Sequence, residues 1–177
     1  MPRSRQFVFQ MFPLLIASAV IVGDRLSKRF IQHSFSSFDS VSLIKGCLRI
    51  IHTENPGAAF GVLADGNPWL RGGILIGVSG LVLVFVASAL FGRRSTFSGT
   101  AARFGLSLIL GGALGNLYDR VIHGTVTDFI EVYHGSWAFP AFNVADSAIT
   151  IGAILLLADL LRPHRRQISQ QTELARK

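Results

Sequence analysis

The run WLRGGILIGVSGLVLVFVASALF, residues 69–91, carries a single charged side chain, Arg71. A bilayer has a hydrocarbon core about 30 Å thick, which needs about 20 helical residues rising about 1.5 Å each. The run therefore predicts a helix that crosses a membrane. Gly73 and Gly77 are spaced for close packing against a neighbouring helix, as Gly111 and Gly115 are further along the chain.

Three further apolar runs approach the same length, at residues 7–23, 104–122 and 141–161. A soluble bundle needs a polar face on each helix, and these runs leave almost none. The sequence therefore predicts an α-helical integral membrane protein. Its four transmembrane helices form one domain spanning residues 1–177, with a cytoplasmic tail at 162–177.

Composition supports a membrane protein over a soluble one. The 177 residues are 50% hydrophobic and 15% charged, with a mean hydropathy of +0.46. The net charge of +7 indicates loop charges that orient membrane spans, and no nucleic-acid partner is expected. The single cysteine, Cys47, excludes a disulfide within the chain and any cysteine-rich zinc site.

The basic residues predict the orientation. Ten of them fall before the first span, between the second and third, or after the fourth: Arg3, Arg5, Arg93, Arg94, Arg103, Arg162, Arg165, Arg166, Arg176 and Lys177. The positive-inside rule assigns these segments, and so both termini, to the cytoplasm. The connections at 24–68 and 121–140 then face outward.

Polar side chains collect at the outward ends of three spans. They are Asp24, Lys28, Asn116, Asp119, Arg120, Asn143 and Asp146. Within each span these residues are three or four positions apart, so they share one helical face. Asp128 follows in the second outward connection. Charged groups at the centre of a span cost about 2.5 to 3.5 kcal/mol each. The cluster is either a structural network that locks the bundle or a functional site.

Other chemistries have weaker support. Ser27 and Lys28 suggest a serine and lysine pair, and His52 with Glu54, or His123, Asp128, Glu131 and His134, suggest metal ligands. None of the histidines has the spacing of a zinc protease pair. Two carboxylates that share one proton are an established way to activate water without a metal.

Four blocks of the chain resemble the lipoprotein signal peptidase family, also called signal peptidase II. They are DRLSK (24–28), NPGAAFG (55–61), GGALGNLYDRVIHGTVTDF (111–129) and FNVADSAI (142–149). Two positions depart from the family pattern. Arg25 stands where the family often has Gln, and Tyr118 stands where it often has an aliphatic residue.

The resemblance implies an aspartic endopeptidase of the bacterial inner membrane. Such an enzyme cleaves diacylglyceryl-modified prolipoproteins on the amino-terminal side of the lipidated cysteine. The implied catalytic pair is Asp128 and Asp146. Residues that support the pair or bind substrate are Asp24, Lys28, Asn55, Gly57, Asn116, Asp119, Arg120 and Asn143. No metal or cofactor is implied, and the expected partners of the monomer are lipid-modified prolipoproteins and membrane lipids.

The family fold also implies a small extracytoplasmic β-sheet cradle and a short amphipathic helix, both drawn from residues 31–68. The sequence permits the cradle, because residues 41–53 are rich in β-branched and apolar side chains. Asn55, Pro56 and Gly57 then form a turn signal.

Two other functions compete with the peptidase. A small proton-coupled carrier would use the intramembrane Asp and Arg residues as a relay, and a non-enzymatic lipid-binding protein would use the polar network for stability alone. The carrier is disfavoured because the carboxylates gather at one membrane face instead of the midplane.

Overall fold

The structure is a computed structural model that describes residues 3–57, 67–92, 97 and 99–161, without the side chains of residues 3–10 and Pro68. Arg93, Arg94, the tail at 162–177 and positions 58–61 of the second block lie outside the described residues. The helices are α1 (Arg3–Ser34), α2 (Pro68–Phe91), α3 (Thr100–Ile122) and α4 (Val144–Leu160). The strands are β1 (Ser40–Ile44), β2 (Leu48–Asn55), β3 (Val126–His134) and β4 (Trp137–Ala138).

Each predicted span coincides with one of the four helices, although the bounds differ. Helix α1 runs on to Ser34, well past residue 23, so its polar residues from Asp24 onward are helical. Arg103, expected in a loop, lies in the first turn of α3 and donates to the Leu90 carbonyl at 3.3 Å. Among the described helices, only Trp69–Phe91 is long and apolar enough to cross a membrane by length and composition alone. Helices α1 and α3 carry several charges, and α4 is 17 residues long.

Helix α3 is the centre of the bundle and packs against the other three helices. A Cβ atom on Gly112 would lie 2.4 Å from the Ala145 carbonyl oxygen, and one on Gly111 would lie 2.7 Å from that of Ala17. These glycines therefore allow α4 and α1 to approach the α3 backbone. Close packing against a neighbouring helix was also predicted at Gly73 and Gly77. That prediction is wrong, because a Cβ atom at either position would meet no described atom within 4 Å.

An antiparallel sheet in the order β1-β2-β3-β4 covers one end of the bundle. The prediction that the sheet comes from residues 31–68 alone is wrong, because β3 and β4 come from the connection at residues 121–140. Pairing of Thr53 with Asp128 and of Asn55 with Val126 joins the two connections. The described parts of 31–68 contain no separate amphipathic helix, and positions 58–66 lie outside those parts.

Candidate active site

Asn143 brings Asp128 and Asp146 together. Its side-chain Nδ2 donates to Asp128 Oδ1 at 2.6 Å, and its backbone N–H donates to Asp146 Oδ2 at 3.2 Å. The Asp146 backbone N–H donates in turn to Asn143 Oδ1 at 2.9 Å, which completes a capping box at the start of α4. Asn143 is therefore the N-cap of α4, and not part of a helical face as the spacing predicted. The cap holds both carboxylates at one helix end.

The turn after β2 provides a second support for Asp128. Asn55 Oδ1 accepts from the Gly57 backbone N–H at 2.8 Å, which directs Asn55 Nδ2 to Asp128 Oδ2 at 2.9 Å. Gly57 has a φ of +96°, and a Cβ there would lie 2.0 Å from Leu75 Cδ1. Only glycine fits this backbone and this approach to α2. Gly57 therefore acts on the site through the turn.

Asn116 links Asp146 to a charged cluster between α1 and α3. Its Nδ2 donates to Asp146 Oδ1 at 2.7 Å, while its Oδ1 accepts from Lys28 Nζ at 2.9 Å. Lys28 Nζ also lies 2.7 Å from carboxylate oxygens of both Asp24 and Asp119. Lys28 and Asp24 are fully buried. Two carboxylates thus compensate the lysine charge inside the bundle.

Arg25 completes this cluster, although no role was predicted for it. Its guanidinium forms an ion pair with Asp119 and lies over the Tyr118 ring, 4.2 Å from the ring centroid. The two departures from the family pattern therefore contact each other. A cation of this kind is stabilised by the face of an aromatic ring.

The four carboxylates differ in the donors they receive. Asp24 and Asp119 are paired with cations, whereas Asp128 and Asp146 accept hydrogen bonds from the amides of Asn55, Asn116 and Asn143. Over the part of the chain that is described, no Lys or Arg forms a salt bridge with Asp128 or Asp146. Neutral donors stabilise a carboxylate less than a cation does, so this pair is the one suited to sharing a proton.

Burial on β3, together with the nearby Asp146 charge, raises the pKa of the Asp128 carboxyl to about 6, against the lowering effect of the Asn55 and Asn143 hydrogen bonds and the Lys28 charge. Asp128 is 3% exposed. Asp128 therefore retains its proton closer to neutral pH than an exposed aspartate does.

A pH dependence of stability follows from this pKa. Because the Asp128 pKa is higher in the folded than in the unfolded protein, the contribution of Asp128 to folding stability is fully present below pH about 3.8 and is lost as the pH rises through about 6. The decrease is expected to be at most about 3 kcal/mol. Unfolding in detergent, measured between these pH values, should show a smaller decrease for Asp128→Asn than for wild type. Equal slopes in the two proteins would contradict the prediction.

Arg120 lies apart from the charged cluster around Lys28. The prediction that it shares a helical face with Asn116 and Asp119 is therefore wrong for Arg120. It lines a cavity of about 510 Å³ between α2, α3 and the turn after β2, together with Pro56, Trp69 and Leu75. Its Nε is buried without a hydrogen-bond partner among the described residues. Arg120 therefore points to a different surface from that of Lys28.

The other candidates have structural partners. Ser27 Oγ donates to the Asp24 carbonyl at 2.9 Å, and Lys28 is held by carboxylates, so the pair does not form a nucleophile and base. His52 Nε2 lies 3.2 Å from Glu54. No group of three or more His, Cys, Asp or Glu within the described ranges is arranged to hold a metal ion.

One network was not predicted. Thr127 Oγ1 accepts from Gln32 Nε2 at 2.7 Å and donates to Glu54 Oε1 at 2.8 Å. These bonds attach β3 to α1 and β2 one residue before Asp128. Thr125, Thr127 and Phe129 are two positions apart, so in an extended strand their side chains lie on the face opposite Asp128. This alternation is the sequence signal that indicates a second face of the strand.

Comparison with known proteins shows the family of this chain. The family model for signal peptidase (SPase) II matches residues 16–162. A lipoprotein signal peptidase of Solibacter usitatus is 42% identical over 151 residues, which are 85% of this chain and 91% of that protein. A lipoprotein signal peptidase of Yersinia pseudotuberculosis is 39% identical over 164 residues, which are 90% and 93% of the two chains.

Solved structures agree as well. A bacterial membrane enzyme determined by the in meso method at 1.9 Å superposes with a TM-score of 0.73 and 32% identity, covering 85% of this chain and 93% of the other. A second such structure, at 2.3 Å, gives a TM-score of 0.73 and 33% identity, with 85% and 87% covered. Sequence and fold thus agree over most of the chain, which belongs to the signal peptidase II family.

Proposed function

We propose that this membrane protein removes signal peptides from lipoprotein precursors, with Asp128 and Asp146 as its catalytic carboxylates. The proposed substrate is a prolipoprotein whose cysteine carries a diacylglyceryl group, cleaved on the amino-terminal side of that cysteine. The observation that carries the proposal is the convergence of the two carboxylates on Asn143, with amide donors in place of cations. The carrier and the non-enzymatic lipid-binding protein are not favoured, since the matched relatives are named as peptidases.

The chemistry follows from one proton shared by two acids. The ionised carboxylate accepts a proton from water as the water attacks the scissile carbonyl carbon. The protonated carboxyl donates a hydrogen bond to the carbonyl oxygen and stabilises its developing negative charge. The proton taken from water then passes to the amine nitrogen as the C–N bond breaks, which releases the signal peptide and the new amino terminus. Asn143, Asn116 and Asn55 keep the two acids oriented, which lowers the reorganisation needed during the reaction. No metal or cofactor takes part in this scheme.

A cleavage assay tests the reaction and its substrate class. The purified protein should shorten a diacylglyceryl-modified precursor, while the same precursor with Ser in place of the modified cysteine should remain intact. The bond broken is checked by mass spectrometry of the new amino terminus. Equal cleavage of both precursors would contradict a requirement for lipid, and cleavage of neither by the folded protein would contradict the proposed peptidase.

The cavity beside Arg120 is the proposed subsite for the lipid-linked end of the substrate. Trp69, Leu75 and Val121 give it apolar walls, and the turn at Pro56 joins it to Asp128 through Asn55. Arg120 Nε, which has no hydrogen-bond partner among the described residues, is suited to donating to an ester or peptide carbonyl of the substrate. This geometry supports delivery of the scissile bond from the cavity to the carboxylate pair.

The proposed topology has four transmembrane helices, cytoplasmic termini and the sheet at the outer leaflet of the bacterial inner membrane. The protein is proposed to act as a monomer. Large apolar side chains on the bundle surface, including Leu15, Leu81, Val84 and Ile154, support contact with lipid. The basic residues of the inner segments support the orientation.

Native Cys47 is a probe of this topology, because it is exposed in the turn between β1 and β2. In intact spheroplasts, a membrane-impermeant thiol reagent should label wild type and leave Cys47→Ser unlabelled. Thr100→Cys in the Cys47→Ser background places the probe in the exposed first position of α3, and it should be labelled only after the cytoplasmic side is opened. The reverse pattern would contradict the orientation.

A further inference from the structure

A groove runs along the surface of the bundle between α1 and α3. We call it the α1–α3 groove, and it is formed by Ile21, Arg25, Arg29, Leu114, Leu117 and Val121 with their neighbours. Its volume is about 590 Å³, within the range typical of small-molecule sites, about 300–1,000 Å³. None of its lining residues belongs to the carboxylate pair, and it shares only Val121 with the described lining of the Arg120 cavity.

The α1 side of the groove changes from apolar to cationic along its length, whereas Leu114, Leu117 and Val121 on the α3 side are apolar throughout. Helices α1 and α3 run in the same direction, since Gly111 approaches Ala17 and Asp119 pairs with Lys28. Ile21 and Leu114 therefore lie deeper than Arg25, and Arg29 lies one turn further out. Eight residues of helix separate Ile21 from Arg29, a distance of about 12 Å. This length accommodates part of one acyl chain when the phosphate lies beside Arg29.

Arg29 carries a charge that no described acidic residue compensates. Arg25 is neutralised by Asp119, whereas Arg29 is exposed and forms no salt bridge with any residue that the structure describes. No acidic side chain lines the groove. Arg25 and Arg29 are four residues apart and so lie on one face of the helix. Guanidinium groups bind phosphate oxygens in bidentate geometry, so this face is suited to an anion held by Arg29 with Arg25 beside it.

We propose that the α1–α3 groove binds a diacyl phospholipid with an anionic headgroup, taken from the surrounding bilayer. The apolar end takes part of one acyl chain, and Arg29 with Arg25 takes the phosphate. The inference rests on the proposed topology, which puts this end of α1 at the outer leaflet. It does not rest on the catalytic pair, so it can fail or succeed independently of peptidase activity.

The test is native mass spectrometry of the detergent-solubilised protein titrated with phosphatidylglycerol or phosphatidylcholine. Wild type should retain phosphatidylglycerol more tightly, and Arg29→Gln should weaken the tightest site by about fivefold. Lys45→Gln is the matched control, because it removes one exposed positive charge from the turn after β1. It should leave that site unchanged. Equal affinity for the two lipids, or equal loss in both variants, would overturn the proposal.

A second pair of variants tests insertion of the acyl chain. Leu114→Trp fills the deep end of the groove and keeps both arginines, whereas Leu81→Trp makes the same change on the exposed face of α2. Only Leu114→Trp should weaken phosphatidylglycerol binding. If it does not, the lipid is held by surface charge alone and the groove is not its site. Unfolding temperatures in phosphatidylcholine serve as the folding check, and cleavage by each variant is measured separately.

Discussion

Replacement of either Asp128 or Asp146 by Asn should lower cleavage of a lipidated precursor by about 10²- to 10⁴-fold, the usual contribution of a positioned acid or base. Each change removes one of the two groups that are proposed to share the proton. The double variant should then lose little more than either single one, because residues that act as one unit are strongly non-additive. Rates are measured per folded molecule, with Asp39→Asn as an exposed carboxylate control.

Folding must be controlled in this experiment. Both Asp128 oxygens accept from amide groups, so an Asn there opposes one donor with another and costs stability. Binding of an uncleaved lipidated peptide by the variants separates loss of chemistry from loss of the site. A folded single variant that keeps substantial turnover would contradict the pair. Loss of wild-type activity on adding a chelator, restored by added metal, would favour a metal mechanism instead.

Much of the site is predictable from sequence because helical and strand periodicities place polar residues at one end of each element. The four apolar runs predict the helices. The polar residues near one end of three of these runs predict that the site lies at that end of the helix bundle. Asp24 with Lys28 and Asn116 with Asp119 were placed correctly on shared faces, since each pair lies in one unbroken helix. The alignment of separate helices at this level brings these pairs into contact.

The parts that could not be predicted depend on tertiary packing. Arg120 follows Asp119 directly, and the rotation of α3 against α2 and α1 separates them onto two surfaces. The sheet takes strands from two connections about seventy residues apart, and no local pattern records that pairing. Asn143 acts as a helix cap, which is visible in sequence only once the start of α4 is known.

The buried ion cluster carries the second large prediction, which concerns stability. Lys28→Met should destabilise the protein by about 3 to 5 kcal/mol, because removing one member of a buried ion pair leaves a charge without compensation. Asp24 loses its cation entirely, whereas Asp119 keeps Arg25. The measurement is the unfolding free energy in denaturant, with Lys45→Met, an exposed lysine on the β1–β2 turn, as the matched control.

Removing the orphaned charge should restore part of the lost stability. In the wild type, the Ala145 backbone N–H donates to Asp24 Oδ1 at 2.9 Å. In the double variant Lys28→Met with Asp24→Asn, the introduced Asn oxygen can still accept this hydrogen bond. Stability should therefore recover while cleavage stays low, since Asn116 no longer has the Lys28 donor that orients it toward Asp146. If the double variant is no more stable than Lys28→Met, the loss comes from packing instead of charge. If it is stable and fully active, Lys28 serves the bundle and not the carboxylate pair.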